Sequence, residues 1–352
     1  MTQPRLAYID SMRGIAALLV MWLHNVQPVA TGTFRDILFN VVDPGKIGVV
    51  TFFAISGFVI PYSFPSGPAP VARFVISRFF RLYPAYWLSM VGWIALMAIA
   101  GTSLPSTANI LANITMAQTA LGQDNIIGLY WTLFIELIFY ILCATAFALG
   151  LLYRSRFALF GSIGFLVIAF AMAVARFYLQ KKVPVAVPLS LSIMFWGMLW
   201  REATLNRSAR HLRYARLMLA LYVVAMPPIS LLAYNFDVGK EEYWLRYMVS
   251  YYLALALFII LSTRFRLEGE TMVWFGRISY SIYLFHVHAK IAVDLAADAI
   301  APGLNPAIKV VLSIALAIGM AHLIFRWIEK PAIELGKRIN RGIASRAAQA
   351  TA

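Results

Sequence analysis

Long apolar stretches, each closed by a short polar or basic segment, set the rhythm of this chain. The apolar residues run on continuously instead of alternating. Lipid cannot hydrogen-bond an exposed backbone, so this pattern selects a helical bundle over a β-barrel. Ten membrane-spanning helices are expected, near residues 13–30, 47–63, 82–100, 127–150, 157–178, 186–200, 214–233, 245–262, 272–293 and 307–328. The expected architecture is all-α and polytopic, with one membrane domain over 1–336. A basic, then Ala-rich, tail at 337–352 is expected to be disordered. No internal repeat stands out and no appended soluble domain is expected. The segment 101–126 holds no Lys or Arg and one acid, Asp124; it is expected to re-enter the membrane in part or to cap a cavity on the outer side.

Composition agrees. The 352 residues are 61% hydrophobic and 13% charged, against about 25% charged in a soluble domain. The net charge of +15 would suit nucleic acid, but its distribution suits a membrane. With the chain started in the cytoplasm, nine of the 30 Lys and Arg fall outside: Arg35, Lys46, Arg176, Lys181, Lys182, Lys240, Arg246, Lys290 and Lys309. The remaining 21, Arg5 and Arg13 among them, fall inside. Both termini are therefore expected in the cytoplasm. The single cysteine, Cys143, rules out an intrachain disulfide and argues against a thiolate metal site. The first apolar run is expected to be the first span and not a cleaved signal.

Ionisable groups inside apolar runs are costly to bury and mark candidate sites. Arg13 and His24 lie eleven residues apart on the first expected span, roughly 16 Å along a helix. That puts Arg13 at the inner face and His24 near the midplane. Asp10 can pair with Arg13 across one turn. An imidazole titrates near neutral pH, so His24 is the candidate base; its plainer role is a hydrogen bond between helices. Arg78 and Arg81, in RFFRLYPAYW, form a fork suited to phosphate, or else serve only as a positive-inside signal. Tyr83, Tyr86 and Trp87 beside them read as interfacial aromatics. Glu136, in YWTLFIELIFY, is the only acid well inside an apolar run of the first five spans. A buried carboxylate needs a partner, and His24 is the expected one; a protonated Glu136 bonded to a neighbouring helix is the alternative.

Ser56 and Gly57, in FFAISGFVI, suit close helix packing, with Ser56 as a hydrogen-bond donor to substrate the sharper reading. His286, in FGRISYSIYLFHVH, should approach the depth of His24, with Ser279 and Ser281 beside it. His288, His322 and His211 read as satisfied histidines. No histidine pair has the i,i+4 spacing of a known ligand pair, so no metal is expected. Glu329 and Lys330 precede Pro331, which is expected to end the final helix at the inner face.

Five of these segments together resemble the acyltransferase-3 family of membrane acyltransferases. They are YIDSMRGIAALLVMWLH (8–24), GVVTFFAISGFVI (48–60), RFVISRFFRLYPAYWL (73–88), LYWTLFIELIFYIL (129–142) and GRISYSIYLFHVH (276–288), in the family's order. The resemblance implies about ten helices in the bacterial inner membrane. It also implies transfer of an acyl group, most often acetyl, from cytoplasmic acyl-CoA to a hydroxyl. Implied acceptors are sugars of lipopolysaccharide, exopolysaccharide, Nod factors or peptidoglycan, and in some members macrolides or other lipids. Arg13 and His24 match the family's essential first-helix pair, and Arg78 with Arg81 its paired arginines. Many members carry two adjacent acids in the fourth span, whereas here Leu137 follows Glu136. The chain is also expected to work without the outer esterase-like domain frequent in the family.

On this reading Arg78 and Arg81, with Arg13 and Lys330, hold the charged end of acetyl-CoA at the inner face. The pantetheine arm reaches His24. His24 deprotonates the acceptor hydroxyl, Glu136 orients the imidazole, and Ser56, Tyr140 or a backbone N–H stabilises the oxyanion. Tyr140, Trp131, His286 and Asp10 are the expected substrate-binding residues. An acyl-histidine intermediate is the competing scheme, and both remain open. The rival class is a proton-coupled transporter or flippase for a lipid-linked sugar, with His24, Glu136 and His286 as a proton relay; the lack of repeats counts against it. A scaffold whose buried polar groups only specify packing is the third class. No nucleic-acid partner is expected, and a homo-oligomer is left open.

Overall fold

The computed structural model describes residues 6–236 and 243–350. Arg5 and Lys240, both counted in the topology, lie outside the described residues, as do Thr351 and Ala352 of the tail. All regular structure among the described residues is helical. In chain order come α1 (Ala7–Val26), α2 (Gly32–Asn40), α3 (Pro44–Val59), α4 (Pro70–Ile99), α5 (Thr107–Ile114) and α6 (Trp131–Ala148). Then follow α7 (Ser155–Leu179), α8 (Ala186–Thr204), α9 (Ala209–Tyr234), α10 (Trp244–Thr263) and α11 (Glu270–Arg277). Last are α12 (Ser279–Ile300), α13 (Pro306–Ile324), a π-helical turn (Phe325–Glu329) and α14 (Lys330–Ala350).

Seven helical stretches among the described residues are long and apolar enough to cross a membrane; they carry α3, α4, α6, α7, α9, α10 and α13. Ten were expected. The other three, α1, α8 and α12, are long enough at 20, 19 and 22 residues but are not apolar enough. For α8, burial accounts for this. Every residue of α8 from Pro188 to Arg201 is buried, and a helix wrapped by other helices can carry polar groups that a lipid-facing one cannot. These three helices hold His24, Arg201, His286 and His288.

The chain divides into two compact units. The first comprises Met1–Pro61 and Leu149–Gly276. Within it α3 packs against α1, α8 and α10, and α8 also packs against α7 and α9. Glycines permit the closest of these approaches: a side-chain carbon at Gly57 would overlap the Met194 carbonyl, and one at Gly197 would overlap the Ala54 carbonyl. The α3 and α8 backbones thus touch each other, the role expected of a small residue in FFAISGFVI. A serine and tyrosine network ties α7, α8 and α9 together. Ser162 and Ser192 each donate to the other's carbonyl oxygen, at 2.9 and 2.7 Å, and the Tyr222 hydroxyl lies within 3.0 Å of both Oγ atoms.

The second unit comprises Tyr62–Ala148 and Arg277–Ala352. Here α12 packs on α13 and α4, and α14 lies against α4, where the Asn340 amide donates to the Arg73 carbonyl and to Ser77 Oγ, both at 2.9 Å. The segment 101–126 contains α5, which is pinned to α4 by side chains that read as ordinary interfacial aromatics. Tyr83, Tyr86 and Trp87 donate to the carbonyls of Thr115, Asn113 and Ile114 at 2.9, 2.7 and 3.0 Å. Those carbonyls lie at the C-terminus of α5, where side-chain donors complete the hydrogen bonding.

Three expectations are corrected near the end of the chain. The single span expected at 272–293 is two helices separated by Ile278, and Gly276 on α11 abuts the Asp10 backbone of α1. Pro331 does not end the last helix. The proline has no N–H to give to the turn before it, and the π-helical turn at Phe325–Glu329 absorbs that mismatch so that helix resumes as α14. The tail expected to be disordered is helical to Ala350.

Candidate active site

His24, Arg13, Asp10 and Ser56 belong to the first unit; Arg78, Arg81, Trp131, Glu136, Tyr140, His286 and Lys330 belong to the second. In the first unit His24 stands in the last turn of α1, partly buried. Its Nδ1 lies 3.0 Å from the Val20 carbonyl oxygen, one turn earlier. A carbonyl only accepts, so Nδ1 carries the proton and the lone pair of the neutral ring sits on Nε2. The backbone thereby fixes the tautomer a general base needs. At the other end of α1, Asp10 and Arg13 form the expected pair, at a loose 3.9 Å. Ser56 is buried on α3.

Within the first unit the Asp43 carboxylate acts electrostatically on the His24 ring. Asp43 caps α3: its Oδ1 accepts the Lys46 N–H at 2.8 Å. Its Oδ2 lies 2.8 Å from Arg246 Nη2 and 3.8 Å from Lys46 Nζ. Its own N–H donates to Ser250 Oγ at 2.8 Å. Both Asp43 and Arg246 are buried. Sequence reading passed over Asp43 and Arg246 because both fell outside or at the edge of the expected spans. The Asp43-Pro44 step was the available signal, since Asp at a cap followed by Pro in the first turn marks a helix start.

In the second unit the motif residues meet around Tyr140. Its hydroxyl donates to Glu136 Oε1 at 2.6 Å across one turn of α6. The Arg78 guanidinium sits 5.8 Å from the Tyr140 ring centroid and 5.5 Å from that of Phe74, and both Arg78 and Arg81 act electrostatically on the Tyr140 hydroxyl. Arg78 and Arg81 lie within α4, three residues apart, and so share a face. Glu329, fully buried in the π-helical turn, accepts from Ser281 and feels Arg81. That turn is what brings it inward, a role spacing alone does not reveal. Lys330, next in sequence, is exposed.

His286 is buried on α12 with Nδ1 3.0 Å from the Ile282 carbonyl, and Trp131 opens α6. His288 bonds through Nε2 to the Ser89 carbonyl at 2.8 Å, and His211 Nδ1 lies 2.7 Å from its cap residue Ser208. His211 is thus hydrogen-bonded as read from the sequence, whereas His288 is bonded through Nε2 only and its buried Nδ1 has no hydrogen-bond partner among the described residues. No group of three or more His, Cys, Asp or Glu side chains able to hold a metal forms among the described residues.

The membrane-length helices define a multi-pass membrane protein, whose first unit carries the tautomer-fixed histidine and whose second carries the two-arginine face. The chain belongs to the acyltransferase-3 family, whose acyltransferase domain matches residues 6–326. It is similar to the acyltransferase MdmB of Streptomyces mycarofaciens, at 26% identity over 147 residues. That match covers 39% of this chain and 38% of the relative, so it spans well under half of that protein's length. No solved structure matches the chain. The chain is thus a multi-pass membrane member of this family.

Proposed function

We propose that this acyltransferase moves an acyl group, acetyl in the first instance, from acyl-CoA to a hydroxyl of a sugar or glycolipid. The bacterial inner membrane is its proposed location, with ten spans and both termini in the cytoplasm. The observation that carries the reading is the His24 Nδ1 bond to the Val20 carbonyl, which leaves the Nε2 lone pair as the base. His24 takes the proton as the acceptor oxygen attacks the thioester carbonyl. The C–S bond then breaks, and the CoA sulfur leaves with that proton.

Arg78 and Arg81 bind phosphate groups of the donor, assisted by Arg13 and Lys330. Glu136, gripped by Tyr140, is the carboxylate of the fourth-span motif and serves the reaction with it. Ser56 donates to the developing oxyanion. Trp131, His286 and Asp10 contact substrate. The family assignment and the guanidinium face support an acyl-CoA donor over the transporter reading.

The test is incubation of membranes containing the protein with acetyl-labelled acetyl-CoA. Label is expected in a hydroxyl ester, with one CoA thiol released per ester formed. Uptake or translocation of a lipid-linked sugar without ester formation would overturn the reading.

A further inference from the structure

A carboxylate near a catalytic imidazole helps only if its position and charge are controlled, and the first unit contains a device for that control. Asp43 is built into the start of α3, against the last turn of α1. Gly45, two residues on, is the point of contact: a side-chain carbon there would lie 2.8 Å from Leu23 Cδ2 and 3.3 Å from Asp43 Oδ1. Leu23 immediately precedes His24. The Asp43 carboxylate therefore borders the segment that carries the base.

The parts that hold Asp43 come from α10. Arg246 and Ser250 are four residues apart and share one face of that helix. Ser250 Oγ fixes the Asp43 backbone and Arg246 Nη2 grips its carboxylate. The Arg246 guanidinium in turn lies 5.7 Å from the Phe39 ring centroid of α2. Lys46 completes the bracket, with Nζ 3.6 Å from the Tyr247 ring centroid. A buried carboxylate held by one arginine and a backbone cap keeps its place.

We infer that Arg246 and Ser250 are positioning residues for the His24 base, acting through Asp43. The inference rests on the proposed role of His24. When His24 accepts the acceptor's proton the ring becomes a cation, and the fixed Asp43 carboxylate stabilises it. Arg246 sets how strongly, because its own charge offsets the carboxylate's. Within the first unit, the charged groups on the elements packed near this end of α1 include Asp43 and Lys46 from α3 and Arg246 from α10, with Arg35 and Asp36 on the exposed face of α2. Asp10 and Arg13 sit three turns away on α1.

This arrangement makes a prediction of sign that a packing role does not. Asp43→Asn removes the anion and favours the neutral ring, so the His24 titration midpoint falls. Arg246→Met leaves the anion without its main counter-charge, so the midpoint rises. Each displacement should be about 1 pH unit. Arg246→Lys keeps the charge and should stay within a few tenths of a unit of wild type. The double variant Asp43→Asn with Arg246→Met strands no buried charge and should titrate above Asp43→Asn alone. The measurement is NMR of histidine-labelled full-length protein in detergent micelles, with His24→Ala assigning the resonance among the five histidines.

Opposite displacements in Asp43→Asn and Arg246→Met support the inference. Equal signs, or a midpoint indifferent to both, overturn it; if Arg246→Met fails to fold, the double variant against Asp43→Asn decides, and if Asp43→Asn fails, the rise or its absence in Arg246→Met decides. Acyl transfer assayed in parallel keeps two failures apart. A transferase that works without His24 refutes the proposed function, whereas a His24-dependent enzyme with an indifferent midpoint refutes only the α10 bracket. Where both hold, Arg246→Met should lower kcat about 10- to 100-fold and leave the donor KM unchanged.

Discussion

Tyr140→Phe removes one hydroxyl and keeps the ring that packs beside Phe74 and Arg78. The lost bond runs from Tyr140 to Glu136 Oε1 at 2.6 Å, inside the short range typical of hydroxyl-to-carboxylate bonds. Tyr140 is buried and Glu136 partly so. Water therefore replaces the missing donor poorly, and the net loss should be about 1.5–3 kcal/mol. In rate terms that is roughly a tenfold to 150-fold fall. The assay is initial-rate transfer of label from acetyl-CoA for wild type, Tyr140→Phe, Glu136→Gln and the double variant, each normalised to folded protein. If Tyr140 works through Glu136, the second substitution adds little to the first, with a coupling of at least about 1.5 kcal/mol. Additive losses, or full activity in Tyr140→Phe, would refute the coupling and leave the pair as a local helix contact.

Two further outcomes follow from the geometry. Arg78→Ala with Arg81→Ala should raise the acetyl-CoA KM by about tenfold or more. The remaining affinity should depend less on salt than in wild type, because the charge contacts are gone; unchanged KM at every ionic strength would return both arginines to topology signals. Gly57→Ala should lower the thermal stability of the purified protein, at about 1–3 kcal/mol, since its new carbon meets the Met194 backbone, which cannot swing aside. Gly164→Ala on α7, with open space around it, is the control and should leave the melting temperature unchanged or raise it.

How far the sequence reveals this molecule depends on which force sets each feature. Apolar runs locate helices well because lipid exposure demands them, and α4, α6, α7, α9, α10 and α13 fall where the runs lie. Polar helices α1, α8 and α12 are recognisable as helices, and in α8 burial inside protein lets the composition depart from that of a lipid-facing span. Turn-level details are harder. The break at Ile278 and the π-helical turn before Pro331 depend on contacts and re-registration that no period encodes. At the site, Arg78 with Arg81 and Glu136 with Tyr140 are legible because both pairs are local on a helix. Asp43 and Arg246 are some two hundred residues apart, so their pairing follows only from α3 meeting α10. Glu329 looked like a terminal acid because Pro331 was read as a stop.

The central claim is that His24 supplies the base, and single-turnover transfer tests it most directly. Purified wild-type protein and His24→Ala, matched for folded content and for CoA binding, would be mixed with labelled acetyl-CoA and a hydroxyl acceptor and quenched over time. The account predicts that His24→Ala binds the donor as wild type does but forms ester at least about 100-fold more slowly. Ester formation in His24→Ala at the wild-type rate would contradict it.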